Sequence, residues 1–433
     1  MHKLLESLLA FLARAVVRRQ RPFIVGVTGS VGKTSAREAI RAVVEVDRSV
    51  RAAPKNYNNE IGLPVTIIGG RAPGRSPFAW ASVLARGVWR GLVRGFRYPE
   101  ALVLEYGADH PGDLGYLLRI ARPSVSVVTA VGPAHTEFFT SVDRVCGEKR
   151  KLITALDRDG IAVLNRDDER VWAMADRARA RVVAYGTHEA ADVRGIEYRV
   201  TYGERGTTAD ASTPPTGVTF KVVSGGATVP VHLPGCLGEG HMLAALAGAA
   251  VGVGLGMHLV EISHALSQYE PPCGRMRIIP GIKGTTILDD SYNASPLAAI
   301  VALRALESLT IAGRTFAILG DMLELGPLTQ REHEKVGEFA AAQSLTTLIC
   351  IGDASRSTAR GARAAGMPED CVLEFSRAED AGRFVQDLLR PGDAVLVKGS
   401  QGIRLERVVR ELMADPLRAK ELLCRQDPKW LDH

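Results

Sequence analysis

The chain has 433 residues, 46% hydrophobic and 24% charged, too long for a single hydrophobic core, so two or three domains are expected. Its six cysteines, at 146, 236, 273, 350, 371 and 424, form no CxxC pair and no His/Cys cluster at metal spacing, which argues against a disulfide framework or a zinc site. A net charge of +6 and a pI of about 9.0 fit anionic substrates, nucleic acid or a membrane surface without choosing among them.

Leu4, Leu5, Leu8, Phe11, Leu12, Ala15 and Val16 recur at helical spacing, which predicts an amphipathic helix over 2–19, stopped by Pro22. Glu6 and Arg14 interrupt its apolar run and a phosphate-type loop follows almost at once, so the segment is not read as an export signal. No stretch approaches the ~18 uncharged apolar residues of a transmembrane span. Phe23–Val27 reads as a strand, Thr28–Gly32 as a loop, and a helix is expected from about Lys33. Further strands are expected at Ala101–Glu105, Val125–Thr129 and Ile161–Asn165 with helices between, the pattern of a mostly parallel sheet covered on both faces. From about 192 to 234 the pattern changes to hairpins, such as Val218–Val223 with Thr228–Leu233, and residues 204–217 read as a surface loop. A helix rich in Ala and Gly follows from His241, and near Pro271–Gly274 the chain turns into a second βα series. Its strands are Thr285–Asp289, Thr315–Leu319, Thr346–Ile351 and Ala394–Val397. The expected division is 1–22, 23–272 and 273–433.

Between Glu60 and Glu100 there is no acidic residue, while Arg71, Arg75, Arg86, Arg90, Arg94 and Arg97 lie among Phe78, Trp80, Trp89 and Phe96. Arg86, Arg90 and Arg94 fall at i, i+4 and i+8, one helical face. Two readings stand: a solvated basic helix, or peripheral contact of 2–19 and 71–97 with anionic lipid. No recognisable nucleic-acid-binding module accompanies the arginines, so nucleic acid is not expected as a partner.

The strongest chemical signal is Gly26-Val-Thr-Gly-Ser-Val-Gly-Lys-Thr-Ser35, placed after a strand and before a helix. Glycines 29 and 32 let backbone N–H groups of the Thr28–Ser35 loop (Thr28, Gly29, Ser30, Gly32, Ser35) approach phosphate oxygens. In such a loop Lys33 would neutralise terminal phosphates, and the Thr34 hydroxyl can bind magnesium. Glu105, ending a strand, stands at the sheet edge where open α/β sheets bind ligands. His135 on its own reads as a surface or capping residue, and Lys149 lies in the charged run Glu148-Lys-Arg-Lys151 whose default is an exposed helical face. Asp289 and Asp290 before Pro296 also suit a turn or cap, and Asn58 and Asn59 suit a turn.

Together these stretches resemble the Mur ligase family. The loop TGSxGKT, Asn56-Tyr-Asn-Asn-Glu-Ile-Gly-Leu-Pro64, Glu105-Tyr-Gly-Ala, the His135-to-Lys149 segment and Gly238-Glu-Gly-His241 carry the likeness, with Asp289-Asp-Ser-Tyr-Asn-Ala-Ser-Pro296, Leu319–Gly326 and Leu396-Val-Lys-Gly-Ser400. Their order is most similar to the branch that adds D-alanyl-D-alanine. The resemblance implies a central ATP-binding α/β domain and a Rossmann-like C-terminal α/β domain. It implies ATP and two magnesium ions, one held by Thr34 and Glu105, the second through His135 and a carbamylated Lys149. It further implies an adenine-side role for His241, ribose contact by Asp290, and a γ-phosphate contact by Arg275 once the domains close. Asn58, Asn59, Asn293 and Lys398 would face the substrates, a muramoyl peptide and D-Ala-D-Ala. The implied activity is formation of an amide through an acyl phosphate in peptidoglycan precursor synthesis, in the cytoplasm or at the inner membrane face.

Two departures bear on substrate recognition. The branch normally carries an N-terminal domain that holds the uridine nucleotide, and only about twenty residues precede the loop here, too few to fold one. The expectation is a chain without that domain, the substrate bound differently, supplied with a surface by a protein partner, or replaced by another. Ala245 stands where the family's adenine-side helix usually has asparagine. The alternative functions are a ligase for a different acid and amine pair and a non-catalytic nucleotide-binding protein.

Overall fold

The computed structural model describes residues 2–53, 57–70, 74, 76–95, 97–132, 139, 141–203, 213–427 and 430. The first sheet has nine strands: β1 (Phe23–Thr28), β2 (Val50–Ala52), β3 (Ala101–Glu105), β4 (Val125–Val128), β5 (Ile161–Asn165), β6 (Arg181–Gly186), β7 (Val193–Tyr202), β8 (Pro215–Ser224) and β9 (Ala227–Pro234). Their order is β2-β3-β1-β4-β5-β6-β7-β8-β9, parallel through β7 and antiparallel from β7 to β9. β3 and β4 are buried along their whole length, the mark of strands covered on both faces. Leu102 and Leu104 join the core beneath α1 (His2–Gln20), α3 (Gly62–Ile68), α5 (Asp113–Ile120) and α6 (Val142–Thr154). Ala101 and Val103 point the other way, into the core beneath α2 (Lys33–Val44) and α7 (Glu239–Gly254). α4 (Pro77–Leu92) lies against α1, outside these layers.

The second sheet takes β10 (Arg277–Pro280), β11 (Thr286–Asp290), β12 (Thr315–Gly320), β13 (Thr347–Ile351), β14 (Val372–Phe375) and β15 (Ala394–Lys398) in the order β10-β11-β15-β12-β13-β14. Only β10 runs antiparallel to its neighbour. The core beneath α7 continues into this half through Leu303 and Leu306 of α9 (Pro296–Glu307), which follows α8 (Leu259–Ser267) in the chain.

Several expectations need correction. Pro215–Gly217 begins a strand rather than ending a loop, and residues 204–212 of the expected loop lie outside the described residues. β2, β6, β10 and β14 were not expected; β2, β10 and β14 have three or four partly exposed residues each, which leaves too short an apolar run, and β6 offers only residues 182–185 between Arg181 and Gly186. α4 ends at Leu92, so Arg94 does not continue the face of Arg86 and Arg90. Arg86 is exposed and Arg90 half-buried, and both also bond back to the protein. Arg86 Nη1 donates to Gly69 O at 2.5 Å and Arg90 Nη1 to Ile68 O at 2.6 Å, satisfying carbonyls at the C-terminus of α3. Arg71 and Arg75 lie outside the described residues. Among those described, no helix is long and apolar enough to cross a membrane.

Candidate active site

β1 sits between β3 and β4, so the turn after it opens where the strand order reverses, at the carboxyl edge of the sheet. A Cβ on Gly29 would lie 1.9 Å from Thr129 Oγ1, and Gly32, with φ of 85°, occupies the left-handed conformation that opens α2. Neither position accepts a side chain without disturbing the loop. Thr129 Oγ1 donates to Val31 O at 2.6 Å and Ser30 N to Ala130 O at 2.6 Å, which holds the loop against the end of β4. Lys33 folds back over this turn, its Nζ donating to Gly29 O at 2.7 Å. Burial lowers its pKa, while the charge of Glu105 acts the other way.

Glu105 pairs in register with Val27 and is fully buried. Arg37 Nη1 of α2 lies 2.9 Å from its Oε1, yet neither carboxylate oxygen receives a well-aligned hydrogen bond from the described residues. Two buried acceptor oxygens beside the Thr34 hydroxyl's loop suit a small hard cation. Among the described residues no group of three or more His, Cys, Asp or Glu clusters as a metal cage. That donor set fits magnesium, which takes one or two protein oxygens and leaves the rest to phosphate and water. Lys149 reaches the same loop from α6, with Nζ donating to Gly29 O at 3.0 Å. Burial, then the neighbouring Lys33, lower its pKa to about 7. Lys151 instead turns out to Glu148, 2.6 Å away. Lys149 is therefore the lysine of this run that faces the loop, and the exposed-face expectation does not hold for it. His135 lies outside the described residues.

The second half of the chain supplies the opposite wall. Arg275 stacks on Tyr292, its Cζ 4.4 Å from the ring centre, and its Nη2 reaches to 3.5 Å from Thr34 Oγ1. Asp290, ending β11, accepts from Lys398 Nζ at 2.5 Å and from Met276 N at 3.2 Å. Lys398 is buried at the end of β15, also donating to Asn293 O at 3.1 Å, so it is no exposed loop lysine. Asp289, fully buried, accepts from Ser291 Oγ at 2.6 Å and Gly274 N at 3.2 Å, a turn-stabilising role; burial raises its pKa to about 6.

His241 is buried with both ring nitrogens engaged: Nδ1 lies 2.8 Å from Tyr269 Oη and Nε2 2.8 Å from Arg275 O. A carbonyl only accepts, so Nε2 carries the proton and the tyrosine hydroxyl donates to Nδ1. Ser35 hydrogen-bonds that same tyrosine oxygen. A relay Ser35–Tyr269–His241–Arg275 thus ties α2 to the junction between the halves. Its engaged ring nitrogens give His241 a positioning role, and the residue also stands at the cavity wall on the side expected for adenine. Burial lowers its pKa to about 4.

Most of these groups line one cavity of about 1250 Å³; Arg37, Glu105, Tyr269 and Asp289 are not part of its lining. Its polar end holds Lys33, Thr34, Asp109, Lys149 and Arg275; an apolar slot lies between Gly238–Ala244 and Leu297–Ala305. Asn58 and Asn293 line it, whereas Asn59 is exposed and its Oδ1 accepts from Gly62 N at 2.9 Å, fixing the turn into α3. Ala245 is packed in the core and does not line the cavity. Arg37, Asp109, Thr129, Tyr269 and Tyr292 were not anticipated. Only Arg37 left a signal, one helical turn beyond Lys33 on the same face.

Two family models match: the Mur ligase middle domain over residues 94–251 and the Mur ligase glutamate ligase domain over 274–401. The chain is 28% identical over 406 residues to the UDP-N-acetylmuramoyl-tripeptide–D-alanyl-D-alanine ligase of Bacillus subtilis (strain 168), covering 94% of this chain and 79% of that one. It is 30% identical over 408 residues to the enzyme of the same name from Mycobacterium leprae, covering 90% and 74%. The solved MurF ligase of Thermotoga maritima in complex with ADP superposes with a TM-score of 0.76 at 28% identity, over 94% of this chain and 83% of that one. The chain belongs to the Mur ligase family, and is an ATP-dependent ligase that forms amide bonds.

Proposed function

We propose that this ligase joins D-alanyl-D-alanine, or a closely similar amine, to the free carboxylate of a UDP-muramoyl tripeptide in peptidoglycan precursor synthesis. The observation that carries the reading is the meeting in one cavity of Lys33 and Lys149 from the first half with Arg275 from the second, with the buried charge of Glu105 acting on Lys33. Such a meeting suits a reaction that presses several negative charges together. The carboxylate oxygen attacks the γ-phosphorus of ATP, ADP departs, and an acyl phosphate forms. The amine nitrogen then attacks the acyl carbon; the tetrahedral intermediate expels inorganic phosphate, and the nitrogen loses a proton.

In this reading the loop amides and Lys33 hold the β- and γ-phosphates, and Arg275 stabilises charge on the transferring group. Adenine enters the apolar slot opposite α9, its approach shaped by His241, and Asp290 meets the ribose while Lys398 orients it. Asn58 and Asn293 face the acyl and amine substrates. Thr34 and Glu105 would hold magnesium, which supplies charge neutralisation to the phosphates when bound. The division into 1–22, 23–272 and 273–433 goes with this reading, as does a cytoplasmic site where ATP is available.

Lys149 is proposed to be carbamylated: its neutral amine attacks carbon dioxide and releases a proton, giving an anionic carbamate whose oxygens would be ligands for a second metal ion. The support is a buried lysine whose pKa lies near 7, since only the unprotonated amine reacts. Protein equilibrated with ¹³C-bicarbonate is expected to give a carbamate carbon resonance that Lys149→Arg lacks. For the substrates, phosphate release and product mass are measured with ATP, muramoyl tripeptide and D-Ala-D-Ala. Silence with that pair and release with another would reassign the substrates, and silence with every pair would overturn the ligase reading of the site.

A further inference from the structure

α1 and α4 form a helix pair whose outer surface the ligase chemistry does not use. Cβ atoms placed on Gly87 and Gly91 would meet Leu12 at 3.2 Å and Ala15 at 3.1 Å, so the helices run parallel in close contact. On α4, Phe78, Ala81, Ala85, Val88, Trp89 and Leu92 follow helical spacing and are all exposed, Phe78 at 88% and Leu92 at 70%. On α1 the exposed Leu4, Leu8 and Phe11 form a second stripe, which leads into Ala15. At 100° per residue in two parallel helices, the two stripes open to the same side of the contact line. Between them runs a groove of about 520 Å³ lined by Phe11, Ala15 and Gly91 with Arg14, Arg18 and Arg19.

The charge is concentrated at one end. Gln20 donates to Arg90 O at 2.6 Å and Val93 O at 2.8 Å, joining the C-termini of both helices. Arg18, Arg19, Arg21, Arg94 and Arg97 are exposed around that joint, and none makes an ion pair with another described residue. α1 contains one acid, Glu6, and residues 61–99 contain none.

We propose that this helix pair is a docking surface for an anionic phospholipid bilayer, the apolar stripes entering the headgroup boundary and the arginines meeting lipid phosphates. A protein partner would need carboxylates spaced to match five separate arginines beside a wide apolar stripe. A bilayer offers phosphate at every lateral position directly above hydrocarbon, and so satisfies both features at once. The inference is independent of which acid and amine the enzyme joins.

The test is sedimentation of the full chain with phosphatidylcholine vesicles, with and without phosphatidylglycerol. Binding is expected only with phosphatidylglycerol and is expected to weaken with salt. Arg18→Ala with Arg19→Ala should lower it about thirtyfold, each arginine near an anionic surface contributing roughly a factor of five. Phe11→Asp with Leu92→Asp should abolish it, with the melting temperature and ATP binding unchanged because both residues are exposed. Brominated lipid should quench Trp fluorescence in the parent chain and much less in Trp89→Phe. Absence of binding, equal binding to neutral vesicles, or a dimer in solution that Phe11→Asp dissolves would each overturn the proposal.

Discussion

A lysine that the fold keeps beside another lysine has a measurable signature. The folded-state pKa of Lys149, about 7, lies below the ordinary 10.5, so between those values the unfolded chain binds the extra proton. Stability therefore rises with pH from about 7 toward 10.5, and the full penalty applies below 7. Lys149→Met is expected to stabilise the protein by roughly 2–4 kcal/mol at pH 6 in urea denaturation while abolishing turnover. His241 acts in a lower window. Its pKa near 4, against the usual 6.5, means the unfolded chain takes up the proton first as pH falls, so stability drops from about pH 6.5 to 4. The ceiling is about 3 kcal/mol, and His241→Gln should flatten that part of the profile. Protonated His241 needs a second acceptor, which would force the Tyr269 hydroxyl to turn its hydrogen away. Glu105→Gln is expected to cut kcat about a hundredfold or more and to raise the magnesium concentration needed for half-maximal rate.

Among the elements, β11 and β15 are joined at their carboxyl ends by the buried Asp290–Lys398 pair. Removing one partner strands a charge: Asp290→Asn is expected to cost about 3–5 kcal/mol, and Lys398→Met in the same chain to recover most of it. Urea midpoints of the two single variants and the double variant measure this. The β1–loop–α2 unit was legible because its signals are local: an apolar strand, glycines, then Lys-Thr-Ser opening a helix. The strands Ala101–Glu105 and Ile161–Asn165 were read to the residue because continuous burial leaves no polar interruption inside them. The Asp290–Lys398 pair was not legible. Its members lie 108 residues apart, and no spacing rule links the ends of two strands that become neighbours only when the sheet forms. The charged run at 148–151 was ambiguous for the opposite reason: helical rotation alone decides that Lys149 turns inward and Lys151 outward.

For the whole molecule, the active cavity exists only because both halves face each other, with Arg275 crossing to within 3.5 Å of Thr34. Arg275→Ala is expected to lower kcat about a hundredfold with a smaller change in the KM for ATP, since its guanidinium would act on the transferring phosphoryl group. Magnesium-ADP should raise the melting temperature of the parent chain, as any ligand that binds only the folded state does. The basic tract shows where sequence alone divides a surface wrongly. Arg86, Arg90 and Arg94 share a helical spacing, yet two of them terminate α3 and the third lies beyond the helix. The exposed arginines at the C-termini of α1 and α4 are gathered by Gln20 from segments some seventy residues apart.

The fit of Gly29 against Thr129 constrains how this chain can vary. A methyl group at 29 would overlap the threonine hydroxyl, and that hydroxyl is itself needed to hold Val31. Drift at either position is blocked unless both change in one step, with the smaller residue moving from the turn to the strand end. Such paired replacements are rare events, so this corner of the loop should outlast much of the surface in any lineage that still uses the site.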